Sequence, residues 1–205
     1  MSAVLGRLAA LFIAPPGRVA PRVTGARPRA VGVLCAASQA AAAGRAVALG
    51  AVQGGVVLVC RWTGRPGAAG PAPGAPALPG PRRLAARLAT RGLEVTSSGR
   101  VVTVILPAEA ERARAACERA IAAAGDVPVV IVIAGPRPAA FDALLSAQER
   151  LVVVVGDGTP APLEALAIDQ AARLGPPTAV LRLRPGPAWA RGSRAAVSTA
   201  LGDDG

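Results

Sequence analysis

Residues 128–158 read PVVIVIAGPRPAAFDALLSAQERLVVVVGDG, and this stretch decides the fold class. Two runs of apolar residues, 128–135 and 151–158, enclose a segment, 138–148, that has the composition of a short helix. A continuous apolar run bounded by glycine or proline is typical of a parallel strand that is buried on both faces. The stretch therefore predicts a strand–helix–strand unit of a parallel sheet.

The same alternation extends in both directions along the chain. Further strands are predicted at 31–35, 55–62, 101–106 and 178–184, and helices at 38–52, 81–92, 108–124, 160–174 and 188–201. Residues 93–107 predict one or two strands, of which 101–106 is the surer. We therefore expect an α/β fold, a mostly parallel sheet with helices on both faces, in a Rossmann-like or P-loop NTPase-like three-layer sandwich.

The chain length of 205 residues suits a single domain with tails. Residues 1–13 predict an N-terminal amphipathic helix, residues 14–29 a basic linker rich in Pro and Arg, and residues 30–202 the α/β domain. Residues 64–81 are almost entirely Gly, Pro and Ala, which predicts a flexible loop within that domain. Docking on its own domain, lying on a membrane and binding a partner all stay open for the first helix.

The apolar run at residues 8–14 is shorter than the roughly 20 residues of a membrane span. Arg7 interrupts the apolar stretch, and no clear cleavage site follows, so the N-terminus lacks the pattern of a signal peptide. We expect a cytoplasmic protein, with a peripheral membrane location left open.

Several common chemistries are excluded by composition. All 23 basic side chains are arginine, and the sequence contains no histidine and no tyrosine. Histidine acid–base catalysis, a Ser-His-Asp triad, a lysine Schiff base and a phosphate-clamping lysine are therefore excluded. Cys35, Cys60 and Cys117 are far apart and form no CxxC pair, which predicts buried, inert thiols rather than a zinc site. We expect no catalytic residue, no metal site and no bound cofactor.

Ligands of such sheets bind beyond the carboxyl ends of the strands, so the turns there hold the candidate site. Ser38 begins the first helix, where a helix N-terminus can hold an anion, although a plain N-cap is the alternative. Asp157 and Thr159 lie in a Gly-Asp-Gly-Thr-Pro turn, where Asp157 could bind a metal or a ribose. The alternative is that they satisfy backbone donors of the turn or cap the next helix. Ser38, Asp157 and Thr159 are thus weak cofactor-binding candidates.

The stretches VGVLCAASQAAAAGRAVAL (31–49) and 129–175 together resemble the MinD/ParA-like branch of P-loop ATPases, including its pilus-assembly and septum-site relatives. The resemblance implies a nucleotide loop near residues 36–45 and a Walker B aspartate near Ala134. Neither loop lysine is present, and Ala134 stands where that aspartate would be. The resemblance therefore implies a non-catalytic scaffold or regulator that acts through protein–protein contacts, in a membrane-associated assembly or as a homodimer.

Two other functions stay open. The net charge is +11, and arginines cluster in the N-terminal third and after the Pro/Gly-rich segment, which suits a nucleic-acid-binding accessory protein. The arginines concerned are Arg18, Arg22, Arg27, Arg29, Arg82, Arg83, Arg87 and Arg91. The third hypothesis is a protein that binds a small ligand or a nucleotide without hydrolysing it.

Overall fold

The computed structural model describes residues 28–36, 43–45, 47–48, 55–65, 78–156 and 159–183. The strands are β1 (Ala30–Cys35), β2 (Val57–Trp62), β3 (Glu94–Ser98), β4 (Val101–Ile105), β5 (Val129–Ala134), β6 (Arg150–Gly156) and β7 (Thr178–Leu183). The helices are α1 (Pro79–Ala89), α2 (Ala110–Ala124), α3 (Asp142–Ser146) and α4 (Ala161–Ala172), with a 3₁₀ turn at Ala139–Phe141. Residues 43–45 and 47–48 are also helical. The predicted N-terminal helix, most of the basic linker and the predicted helix 188–201 lie outside the described residues.

The seven strands form one sheet in the order β3-β4-β2-β5-β1-β6-β7. All neighbouring strands run parallel except β3, which pairs antiparallel with β4. The central strand β5 is buried along its whole length, as expected of a continuous apolar run. The predicted α/β fold with a mostly parallel sheet is confirmed.

Each face of the sheet has its own aliphatic core. Face A presents residues such as Leu58 and Ile131 and packs against α1, α2, α3 and α4. Face B presents Val59 and Val132 and packs against the helical residues 43–45 and 47–48, where a Cβ on Gly44 would lie 2.9 Å from Val132 Cγ2. The prediction of helices on both faces is confirmed, and Gly44 lets the helical segment approach the sheet closely.

Residues 93–107, where one or two strands were expected, form the β3–β4 hairpin. Ser98 pairs with Val101, so the connection has two residues, Gly99 and Arg100. Gly99 has a φ of +57°. A glycine with positive φ in a two-residue turn lets the turn match the twist of the two strands that it connects. The hairpin supplies the antiparallel edge of the sheet.

Two predicted elements differ from those in the structure. The predicted loop 64–81 ends earlier, because α1 begins at Pro79; proline suits the first turn of a helix, where its missing N–H has no partner to lose. The predicted helix 138–148 is divided into the 3₁₀ turn and the five-residue α3. A glycine caps the end of α1: Gly92 N donates to Ala89 O at 2.9 Å and Leu93 N to Leu88 O, a Schellman pattern.

Within the described part of the chain, no helix combines the length and apolar character needed to cross a membrane.

Candidate functional site

At β1 the connections between strands change from one face of the sheet to the other. The helical residues 43–45 and 47–48, which follow β1, cover face B, whereas α3 and α4, which follow β5 and β6, pack on face A. Because β5 and β6 are the two neighbours of β1, their connections leave a crevice at the carboxyl ends of these strands. This crevice is where the sequence places its candidate ligand site.

The side chains at the ends of β1 and β5 are apolar or thiol-bearing. Gly135 N donates a hydrogen bond to Cys35 O at 2.8 Å, so backbone groups join the two strand ends. Ala134 is buried and brings no oxygen atom to the crevice. These positions therefore supply neither a carboxylate for a cation nor an amine for a phosphate.

Thr159 lies where β6 passes into α4, and its hydroxyl is occupied by the turn. Gly156 N donates to Thr159 Oγ1 at 3.2 Å, and Thr159 N donates to Gly156 O at 3.1 Å. The N-cap of α4 is Pro160 and has no side-chain cap, so Thr159 does not cap the helix. Ser38 and Asp157 lie outside the described residues.

The three cysteines are free and buried. Burial raises the pKa of the Cys35 thiol from 9.0 to about 12. A hydrogen bond with Cys117, together with burial, also raises the pKa of Cys60. A thiolate is therefore strongly disfavoured at Cys35 and Cys60 at neutral pH, and the structure gives them the character of apolar core groups.

The residues described contain no group of three or more Asp, Glu, Cys or His side chains that could hold a metal ion.

Two adjoining cavities lie at the carboxyl edge, one at the ends of β3 and β4 and the other over the ends of β2 and β5, next to the predicted site. One, of about 370 Å³, is lined by residues that include Arg65, Glu94 and Arg119. The other, of about 270 Å³, shares Arg65 and extends past Trp62 to Gly135. The sequence reasoning did not find these cavities, although an arginine three residues beyond a buried strand was a signal it could have used.

Arg61 and Glu94 lie beside the larger cavity at the end of β2 and the start of β3. Arg61 and Glu94 are both placed opposite Ile105 by the strand register. Burial lowers the pKa of the Arg61 guanidinium, and the negative charge of Glu94 acts in the opposite direction. The Glu94 carboxylate is thus partly offset by a neighbouring buried cation.

Two surfaces outside the crevice are also distinctive. On α4, Leu163 and Leu166 are 58% and 52% exposed, and Ala171 is the single buried residue of the helix. On and just after α1, four arginines are exposed and the helix contains no acidic residue; they are Arg82, Arg83, Arg87 and Arg91. The first surface is apolar and the second is cationic.

Comparison with models of known protein families finds no match to the chain. Comparison with curated protein sequences finds no significant match either. The functions proposed below are therefore supported by the residues and their geometry.

Proposed function

We propose that the protein is a non-catalytic scaffold or regulator of the MinD/ParA-like kind, which acts through protein–protein contacts and associates with a second copy of itself through α4. The mostly parallel sheet and the crevice beside β1 agree with that resemblance. The lack of lysine in the chain and the apolar Ala134 argue against nucleotide hydrolysis. The proposal therefore assigns the function to the protein's exposed surface.

The observation that carries this proposal is the exposed apolar character of α4. A helix that is apolar around most of its circumference is usually buried, yet α4 exposes Leu163 and Leu166 on its outer side. Val180 of β7, the strand beneath α4, is also 38% exposed and lies on face A. Clustered exposed aliphatic side chains of this kind mark protein-interaction sites.

Charge favours a second copy as the occupant of this surface. The protein carries a net charge of +11, which opposes association between most parts of its surface. Around α4 the charges are balanced, because Arg182 pairs with Glu164 at 2.5 Å and Arg173 with Asp169 at 2.6 Å. Contact through α4 therefore adds no repulsion between like charges at the contact itself.

The test is sedimentation equilibrium of the full chain and of the double variant Leu163→Asp/Leu166→Asp. We expect the unaltered chain to form dimers at micromolar concentration and the double variant to be monomeric. Two buried carboxylates in an apolar contact cost well over the 1.4 kcal/mol that corresponds to a tenfold change in dissociation constant.

Leu78→Asp is the matched control, since Leu78 is also exposed but precedes α1 on another part of the molecule. It should dimerise like the unaltered chain. A monomeric unaltered chain, or dimerisation that survives the double substitution, would exclude α4 as the self-association surface. Release of phosphate from Mg-ATP by the pure protein would exclude the non-catalytic assignment.

A second function, nucleic-acid binding, is favoured by the arginines of α1. Arg83 and Arg87 are spaced four residues apart and so lie along one side of α1, with Arg82 beside them and Arg91 just past the end of the helix. None of the four pairs with an acidic residue of the described part. Arg18, Arg22 and Arg27, which the sequence places in the same hypothesis, lie outside the described residues.

The salt dependence of binding to a double-stranded DNA of mixed sequence tests this second function. Each neutralised phosphate contributes a slope of about −0.9 in a plot of log K against log salt. Replacing Arg83 and Arg87 by Gln should make the slope shallower by about two such contributions. Replacing Arg112, an exposed arginine of α2 paired with Glu109, should leave the slope unchanged. Equal slopes in both variants would contradict the role of α1.

A further inference from the structure

We propose that the carboxyl edge above β4, β2 and β5 carries a binding groove for a small organic anion that has an apolar body, with Arg65 and Arg119 as its anion-recognising side chains. This groove lies over a different part of the sheet from α4. It goes beyond the proposed scaffold function and does not depend on it.

The groove consists of the two cavities that share Arg65. The larger lies at the end of β4, where Leu106 and Ala116 form a buried apolar wall. The smaller continues over the ends of β2 and β5, between Trp62 and Pro136. Their volumes, about 370 and 270 Å³, fall within the size range of small-molecule sites when the two are joined.

Two arginines line the groove from different elements. Arg65 comes from the segment after β2, and Arg119 comes from the middle of α2. Both side chains are exposed, and neither forms an ion pair with a residue in the part of the chain that the structure describes. Neighbouring arginines of α2 do form such pairs, as Arg112 with Glu109 and Arg114 with Glu118 show.

The charge balance of the groove favours an anion. Among the described residues of its lining there is one carboxylate, Glu94, whose charge acts on the buried guanidinium of Arg61. The charges of Arg65 and Arg119 are therefore left for a ligand. A guanidinium offers paired N–H donors that match a carboxylate or a phosphate, so the two share the chemistry that this groove recognises.

The rest of the ligand is expected to be aliphatic or a compact ring rather than a stacked base. Trp62 is the aromatic residue of the described lining and is only 7% exposed. Its ring packs against Phe141, and its Nε1 donates to Ala108 O at 3.2 Å. The groove consequently offers apolar walls but no free aromatic face for a nucleobase.

The first test uses 8-anilinonaphthalene-1-sulfonate, an anion with an apolar body, as the probe. Trp189 is replaced by Phe in all samples, so that Trp62 is the one remaining tryptophan and reports on its own surroundings. We expect saturable quenching of Trp62 emission by the bound probe. Arg65→Gln and Arg119→Gln should each raise the dissociation constant about tenfold, the usual loss for a charge-assisted hydrogen bond.

Arg112→Gln is the matched control, because it removes an exposed arginine of the same helix outside the groove. Equal affinities in Arg65→Gln, Arg119→Gln and Arg112→Gln, or quenching that does not saturate, would overturn the proposal. Thermal unfolding of each variant confirms that it is folded, since probe binding to a loosened core would also give fluorescence changes.

Competition against the bound probe then identifies the acidic group. Hexanoate, hexyl phosphate and hexanol have the same tail and differ only in the head. Displacement by hexanoate alone assigns a carboxylate ligand, and displacement by hexyl phosphate assigns a phosphate. Displacement by hexanol at the same concentrations would overturn the role of the two arginines.

Discussion

The ring centroids of Trp62 and Phe141 lie 5.6 Å apart, with the ring planes inclined at 47°. Trp62 ends β2 and Phe141 ends the 3₁₀ turn before α3. The contact thus joins the end of a central strand to the connection between β5 and β6, and an inclined pair at this distance is a favourable aromatic geometry.

Replacing Phe141 by Ala should strongly destabilise the fold. Phe141 is fully buried in the core of face A, so its loss leaves a cavity and removes the aromatic contact. We expect the free energy of unfolding, measured in urea, to fall by about 3–5 kcal/mol. The exposed Leu78 is the comparison, and Leu78→Ala should cost about 1 kcal/mol or less. Similar losses in both variants would contradict the buried placement of Phe141.

Replacing Gly32 by Ala should destabilise the fold through crowding alone. Gly32 has an ordinary strand conformation, but an added Cβ would lie 2.5 Å from Leu151 Cδ2 and 2.9 Å from Leu145 Cδ2. Overpacking of this kind costs about 1–3 kcal/mol. In a double-mutant cycle, Gly32→Ala and Leu145→Ala should together cost less than the sum of the single losses. Additive losses would mean that the two positions do not touch.

Replacing Gly125 by Ala should destabilise the fold through backbone strain alone. Gly125 ends α2 with φ 64° and ψ −126°, a region that side chains disfavour, while an added Cβ would meet no atom within 4 Å. We expect a loss of about 1–3 kcal/mol in the free energy of unfolding. Substitution of the neighbouring Asp126 by Ala should stay within about 0.5 kcal/mol. A neutral Gly125→Ala variant would contradict the positive φ.

Stability should be nearly independent of pH from about pH 6 to 8, because the chain has no histidine. Lysine and tyrosine are absent too, so above pH 9 the cysteines are the side chains that titrate. The pKa of Cys35 rises from 9.0 to about 12 on folding, so the unfolded chain loses its proton first. The stability that the protonated Cys35 thiol contributes is complete below pH 9 and is lost as the pH rises towards 12.

This alkaline loss is measured as the free energy of unfolding against pH. Cys35 alone should contribute up to about 1.4 kcal/mol per pH unit in that window. Cys35→Ala should therefore show a shallower decline than the unaltered chain. An identical decline in the two proteins would mean that the Cys35 thiol ionises as readily in the folded state as in the unfolded one.

The fold was predictable because its strands are continuous apolar runs. The apolar run at residues 129–134, between Pro128 and Gly135, has the length of a strand and is too short for a typical helix. In the structure it forms the buried β5. The hairpin at residues 93–107 was left undecided, since only the turn geometry at Gly99 separates two short strands from one longer strand. The start of α1 was missed because Pro79-Gly80-Pro81 has the composition of a loop.

The surfaces were much less predictable. The sequence of α4 has apolar residues on most sides, so nothing in it says that Leu163 and Leu166 face outward. In α2, Arg112, Arg114 and Arg119 occupy similar local contexts, and only the tertiary structure places Arg119 on the same cavity as Arg65. Sequence patterns report burial along one element, whereas a groove depends on which elements become neighbours.

The strand order also sets a sequence of events for a chain emerging from the ribosome. β1 and β2 are made early, but the strand that lies between them is β5. Ala30 of β1 and Leu58 of β2 both pair with Val129 of β5, which is synthesised much later. β2 can pair earlier with β4, which is made before β5, but both neighbours of β1 are later strands. Until β5 is available, the apolar β1 therefore has no strand to join, and loop-closure entropy opposes its pairing across the intervening chain. The unpaired β1 makes the nascent protein prone to aggregate until β5 inserts between β1 and β2.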